Sequence, residues 1–95
     1  MEQTLEREND VTEQKSFSVE IVYNGITKPL TVNLHEQITA VVQHAVHLFG
    51  ITQNAHLLSL FKENGSEIPD NQSVAAAGIK PGELLALRPS AVKGG

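Results

Sequence analysis

Few residues in this chain could do chemistry, and most of them lack the neighbours that chemistry needs. Cysteine is absent, so the chain has no thiolate nucleophile, disulfide framework or cysteine-based metal site. Any thioester step would have to use a partner's sulfur. His44 and His47 stand three apart, roughly 60° apart around a helix. A zinc site needs three or four ligands, and no cysteine or close carboxylate completes the set. His35 and His56 fall in loops without a recognisable partner. Glu63, Glu67 and Asp70 lie near turns and read as solvated surface, not as an acid–base pair. The Gly65-Ser66-Glu67 and Gly78-Ile79-Lys80 segments lack phosphate-loop spacing. What remains is Gly94-Gly95, a pair with no Cβ. At ordinary glycine usage such an end arises by chance about once in 200 chains. Residues 90–95 form a polar, unpatterned stalk. Fully extended, it would reach roughly 20 Å at 3.3–3.6 Å per residue.

The stalk must be held out by something, and the hydrophobic pattern says what. Phe17, Val19, Ile21 and Tyr23 alternate with Ser18, Glu20 and Val22, the period of a half-buried strand. Asn24-Gly25 follows, a strong hairpin signal. The return run alternates too, with Leu30, Val32 and Leu34 in register. Pro29 lacks an N–H and so belongs at a strand start or on an edge. From Ile38 the period changes. Ile38, Val41, Val42, Ala45, Leu48 and Phe49 recur at helical spacing, which predicts an amphipathic helix over 38–49. Gly50 is placed to end it in the left-handed conformation, whereas Gln37 is a poor N-cap.

Leu57 to Phe61 read as a third strand and Glu67-Ile68 as a minimal fourth. Residues 74–77 allow one helical turn before Gly78. Lys80-Pro81-Gly82-Glu83 suits a type II turn. The last strand follows, with Leu85 and Leu87 inward. A hairpin, a crossover helix and returning strands imply an α+β domain, a mixed sheet of four to five strands with one helix on one face. Its expected bounds are 17–89. Residues 1–16, which hold five of the eleven acids and little apolar content, are expected to be a disordered acidic extension. Residues 90–95 are expected to be a flexible tail.

Composition narrows the function classes. With 95 residues there is room for one domain. A net charge of -4 argues against nucleic-acid binding, which favours a basic face. No apolar run approaches the ~20 residues of a membrane span, and the acidic start is unlike a secretory signal. A cytoplasmic domain, monomeric when free, is expected.

The order and spacing of four segments resemble the ubiquitin-like β-grasp family. They are FSVEIVYNG, the helix closing on Phe49-Gly50-Ile51, ENGSEIPDNQSVAAAGIKPGELLALR, and Gly94-Gly95. The resemblance implies the β-grasp fold and a protein modifier. In that family the terminal carboxylate, here that of Gly95, is adenylated by an activating enzyme that consumes ATP. Glycines at 94 and 95 let it enter a narrow channel. The acyl group then passes through enzyme thioesters to a lysine amine. The implied partners are an activating enzyme, a conjugating enzyme with a reactive cysteine, an isopeptidase and target-protein lysines. The chain would be the transferred substrate, not an enzyme, and would hold no cofactor of its own.

The resemblance also marks departures. It puts Lys62, Ala86 and Arg88 at three positions of ubiquitin's apolar partner-binding patch, two of them charged. A one-residue slip in the third strand would place Phe61 there instead; otherwise Phe61 belongs to the core. Two linkage lysines of ubiquitin correspond to Ser66 and Pro81. Lys15, on the acidic arm, is the candidate chain acceptor. Arg88 and Lys93 are the basic residues of the tail that an activating enzyme could recognise. The patch divergence is similar to ubiquitin-like proteins encoded beside conjugation enzymes in some bacteria. Two other functions share this layout: a sulfur carrier ending in a thiocarboxylate, and a non-covalent interaction domain.

Overall fold

A computed structural model describes residues 16–93. Strand β1 (Ser16–Tyr23) and strand β2 (Ile26–Asn33) form the expected hairpin, paired from Tyr23↔Ile26 to Ser16↔Asn33. Asn24 and Gly25 both have positive φ, 52° and 80°, which matches the right-handed twist of the flanking strands. Val19 and Ile21 are fully buried, and Phe17 and Tyr23 pack beside them. Pro29 lies opposite Glu20 on a strand that forms one edge of the sheet, where a missing N–H costs no ladder bond.

Helix α1 spans Ile38–Phe49. Ile38, Val41, Val42 and Ala45 are buried against the sheet. Each large apolar side chain removed from water contributes ~1.5–3 kcal/mol of transfer free energy, most of it offset by lost conformational entropy. Leu48 is half-buried and outside the core cluster, and Val46 packs there instead. Gly50 closes the helix at φ 65°. Its N–H donates to His47 O and that of Ile51 to Val46 O, the paired bonds of a Schellman cap.

Gln37 makes no side-chain capping bond. The first helical amides are satisfied from elsewhere: Ile38 N–H donates to Gln72 O (2.8 Å) and Thr39 N–H to Asp70 O (3.3 Å). A distant loop therefore caps this helix, which is why no local cap is legible in the chain.

Strand β3 (Leu58–Lys62) follows a single 3-10 turn at Ala55–Leu57, and strand β4 is Leu84–Pro89. The sheet is mixed, in the order β2-β1-β4-β3. β1 and β4 run parallel, and the other pairs are antiparallel. Glu67-Ile68 is reduced to one bridge, Phe61↔Glu67, plus the Ile68 N–H bond to Leu60 O (2.8 Å) on the edge of β3 away from β4. The described sheet therefore has four strands. Before β4, Gly82 adopts φ 77° and Glu83 N–H donates to Lys80 O, as a Pro-Gly type II turn requires. Gly82 N–H donates to Ser18 O (2.7 Å), which ties this turn to β1. Leu85 and Leu87 point into the core with Leu60. No helix among the described residues is long and apolar enough to cross a membrane.

Candidate functional site

The fold sends the chain out of the sheet at Pro89, the end of a central strand. The next four residues are where the sequence predicts a free stalk. In the structure, residues 90–93 fold back. Ser90 N–H donates to Leu57 O (2.8 Å), so the chain turns over the start of β3. Ser90 is buried, and its Oγ accepts the amides of Val92 (3.1 Å) and Lys93 (3.0 Å). A serine at this position mimics a helix N-cap and closes a tight turn.

Two carboxylates grip that turn from the far edge of β3. The Ser90 hydroxyl donates to Glu67 Oε2, and Ala91 N–H donates to Glu67 Oε1 (3.1 Å). Lys93 Nζ pairs with Asp70 Oδ2 (2.5 Å) and donates to Leu58 O (2.8 Å). Leu58 O belongs to the outer edge of β3, where a backbone acceptor has no neighbouring strand. Glu67 is held below the ordinary carboxylate value first by the Ser90 hydroxyl; desolvation opposes this, and the Ala91 amide and, least of all, the Lys93 charge lower it further. The buried Ser59 hydroxyl also favours the ionised form, but from outside hydrogen-bond geometry. Asp70 and Lys93 also line a groove of about 430 Å3 whose apolar lining includes Val42, Val46 and Leu58.

The second candidate surface is the sheet face opposite α1. Phe61 pairs with Ala86, and Ser59 with Arg88. Directly paired residues share a face, so Phe61, Ala86 and Arg88 lie together. Lys62 pairs with Leu85, a core residue. It therefore belongs to the helix side, and its amine reaches Glu83 Oε2 (3.2 Å) and Gly78 O (3.3 Å). Phe61, and not Lys62, therefore shares this face with Ala86 and Arg88. Phe61 is only 7% exposed yet stands outside the apolar core cluster. Its cover is Arg88, whose guanidinium carbon sits 5.0 Å from the ring centroid. Such stacking contributes ~0.5–1 kcal/mol at exposed sites.

The remaining candidates are scattered. His35, His44, His47 and His56 are all exposed, and His44 Nδ1 pairs with Glu36 Oε2 (2.9 Å). No group of three or more metal-type ligands occurs among the described residues. Three amines are engaged: those of Lys62 and Lys93, as above, and that of Lys28, which lies 5.3 Å from the centre of the Phe49 ring. Lys15, Gly94 and Gly95, with the rest of the acidic extension at 1–15, lie outside the described residues.

Sequence reasoning missed Glu67 and Asp70 as partners of the tail. The available signal was slight: two acids shortly after a turn, and a Ser and a Lys spaced three apart past the last strand.

No known protein-family profile matches the chain, and no curated protein matches it. Solved structures do. A designed protein based on ubiquitin is 20% identical with a TM-score of 0.69, over 81% of this chain and 92% of that one. The ubiquitin of Caldiarchaeum subterraneum is 18% identical with a TM-score of 0.66, over 81% and 96%. The solution structure of an N-terminal ubiquitin-like domain is 13% identical with a TM-score of 0.69, over 81% and 77%. The chain has the ubiquitin-like β-grasp fold, in a form well diverged in sequence.

Proposed function

We propose that this chain is a ubiquitin-like protein modifier, joined through Gly95 to amines of target proteins. The observation that supports it is a ubiquitin-like sheet whose last strand leads, through one short tail, to Gly94-Gly95. In the first step the Gly95 carboxylate attacks the α-phosphate of ATP held by an activating enzyme, and pyrophosphate leaves. An enzyme thiolate then displaces AMP, so the glycyl group is held as a thioester. A lysine amine finally displaces the thiolate, loses a proton and forms the isopeptide bond. An isopeptidase reverses the last step. The chain supplies no catalytic group. Its part is to present a carboxylate that no side chain obstructs, with Arg88 and Lys93 as the charges an activating enzyme reads. Lys15 is the acceptor proposed for chain growth, and the Phe61, Ala86 and Arg88 face the surface that readers meet. The cytoplasm, where ATP and conjugating enzymes meet, is the proposed compartment.

The test is to recover tagged protein from cells of the source organism, intact and with Gly95 deleted. Trypsin cuts after Lys93, so each modified lysine retains a Gly-Gly remnant. High-mass adducts bearing that remnant are expected from the intact chain and none from the deletion. A sulfur-for-oxygen exchange at Gly95 without adducts would establish the sulfur carrier instead. A second reading, a non-covalent interaction domain, is favoured by the tail's engagement with Glu67 and Asp70. It predicts the same set of bound proteins from both forms and no remnant.

A further inference from the structure

We propose that Glu67 and Asp70 form a clasp that keeps residues 90–93 folded across β3, and that conjugation through the glycines beyond them requires the clasp to open. The conjugation half rests on the function proposed above; the clasp itself rests on the contacts alone. A stalk that enters a narrow channel must be extended, gaining 3.3–3.6 Å per residue. In the folded-back turn, residues 90–93 cannot supply that reach. Besides the backbone bond from Ser90 N–H to Leu57 O, three groups hold them through four contacts: the Ser90 hydroxyl and Ala91 amide on Glu67, and the Lys93 ammonium on Asp70 and Leu58 O. Of these four, all but the contact to Leu58 O involve a carboxylate, and charge-assisted bonds are stronger than neutral ones.

These grips are polar and near solvent, so they are reversible without disturbing the core. Residues 90–93 place no side chain in the core cluster: Ala91 is exposed and Val92 is 78% exposed. An activating enzyme that bound Lys93 or the two carboxylates would exchange one set of partners for another. The tail would then be withheld from hydrolases and released on meeting its enzyme.

The sequence supplies a direct probe. Trypsin does not cut before proline, and Lys28, Lys80 and Arg88 each precede one. Within residues 16–95 this leaves Lys62-Glu63 and Lys93-Gly94. The first site ends β3 and reports unfolding, and the second reports clasp opening. When opening is fast relative to cleavage, the rate follows the population of the open form. Full-length protein is digested with limiting trypsin near pH 8 and followed by intact mass. In Glu67→Gln and Asp70→Asn, loss of the two glycines is expected to be several-fold faster than in wild type, with cleavage at Lys62 unchanged. Equal rates at Lys93 in all three proteins would overturn the clasp. If cleavage at Lys62 rises as well, the variant has loosened the fold. Ser90→Ala, which removes the hydroxyl alone, is then judged by the same criterion.

A second arm adds each protein to lysate of the source organism with ATP and follows early adduct formation. Faster adducts from Glu67→Gln support a gate. Faster cleavage with equal adduct rates overturns the gate and leaves only a clasp. Faster cleavage with no adducts from any protein rejects the modifier function while the clasp stands. Adducts with unaltered cleavage do the reverse.

Discussion

Helix α1 and the tail at 90–93 both lie against β3 or the loop beyond it, and they are held by opposite kinds of force. The helix is held by apolar burial, with Ile38, Val41 and Ala45 fully removed from water. The tail is held by a few directional contacts to Glu67, Asp70 and Leu58 O. Apolar burial is non-directional and scales with area, so the helix leaves only with global unfolding. Ionic and hydrogen-bonded grips near solvent are individually weak, so the tail can leave alone. One domain thus carries a permanent joint and a releasable one on neighbouring ground.

The contrast can be tested, beginning with the largest effect. Val41→Asp places a charge where no partner exists. The cost of an unpaired buried charge should exceed the ~5 kcal/mol margin typical of so small a domain. Loss of the cooperative thermal transition, read by circular dichroism, is the expected outcome; a folded variant would mean that the helix joint is not made as described. Leu60→Ala leaves a cavity under the helix and should lower stability by ~2–5 kcal/mol in urea titration, without altering tryptic cleavage at Lys93 under native conditions. If cleavage at Lys93 rose in step with the lost stability, the two joints would be one.

Acid separates them most finely. Glu67 is lowered from an ordinary value of 4.5 by the Ser90 hydroxyl, the Ala91 amide and Lys93, with the Ser59 hydroxyl nearby. Asp70 is the other charge at the clasp, through Lys93. A carboxyl whose folded value is depressed favours the closed form fully above its free value. That contribution disappears as the pH falls through the folded value. The amide resonances of Ala91, Val92 and Lys93 should therefore shift in acid with a midpoint below 4.5, while those of α1 stay in place. A midpoint at or above the ordinary value would remove Glu67 from the clasp.

The two joints differ as much in legibility as in strength. The helix could be read from the chain to its bounds, because six apolar residues repeat at helical spacing and Gly50 ends them. The hairpin was equally plain from alternation about Asn24-Gly25. In β3 the pattern failed: residues 58–61 are all buried, so no alternation said which face Phe61 takes, and a slip of one residue reverses every face. Only pairing with β4 settles that Phe61, and not Lys62, lies beside Ala86 and Arg88.

Local periodicity and turn chemistry act between neighbours, and they were enough to specify the hairpin, the helix, the type II turn and the α+β class from composition and order alone. Contacts across twenty or more residues carry no such period. The cap of α1 comes from the carbonyls of Asp70 and Gln72, Phe61 is shielded by Arg88, and Ser90 and Lys93 are received by Glu67 and Asp70. Each depends on which segments the sheet order β2-β1-β4-β3 brings side by side. Short polar side chains bond to whatever is within about 3 Å, so their partners exist only once the core has closed.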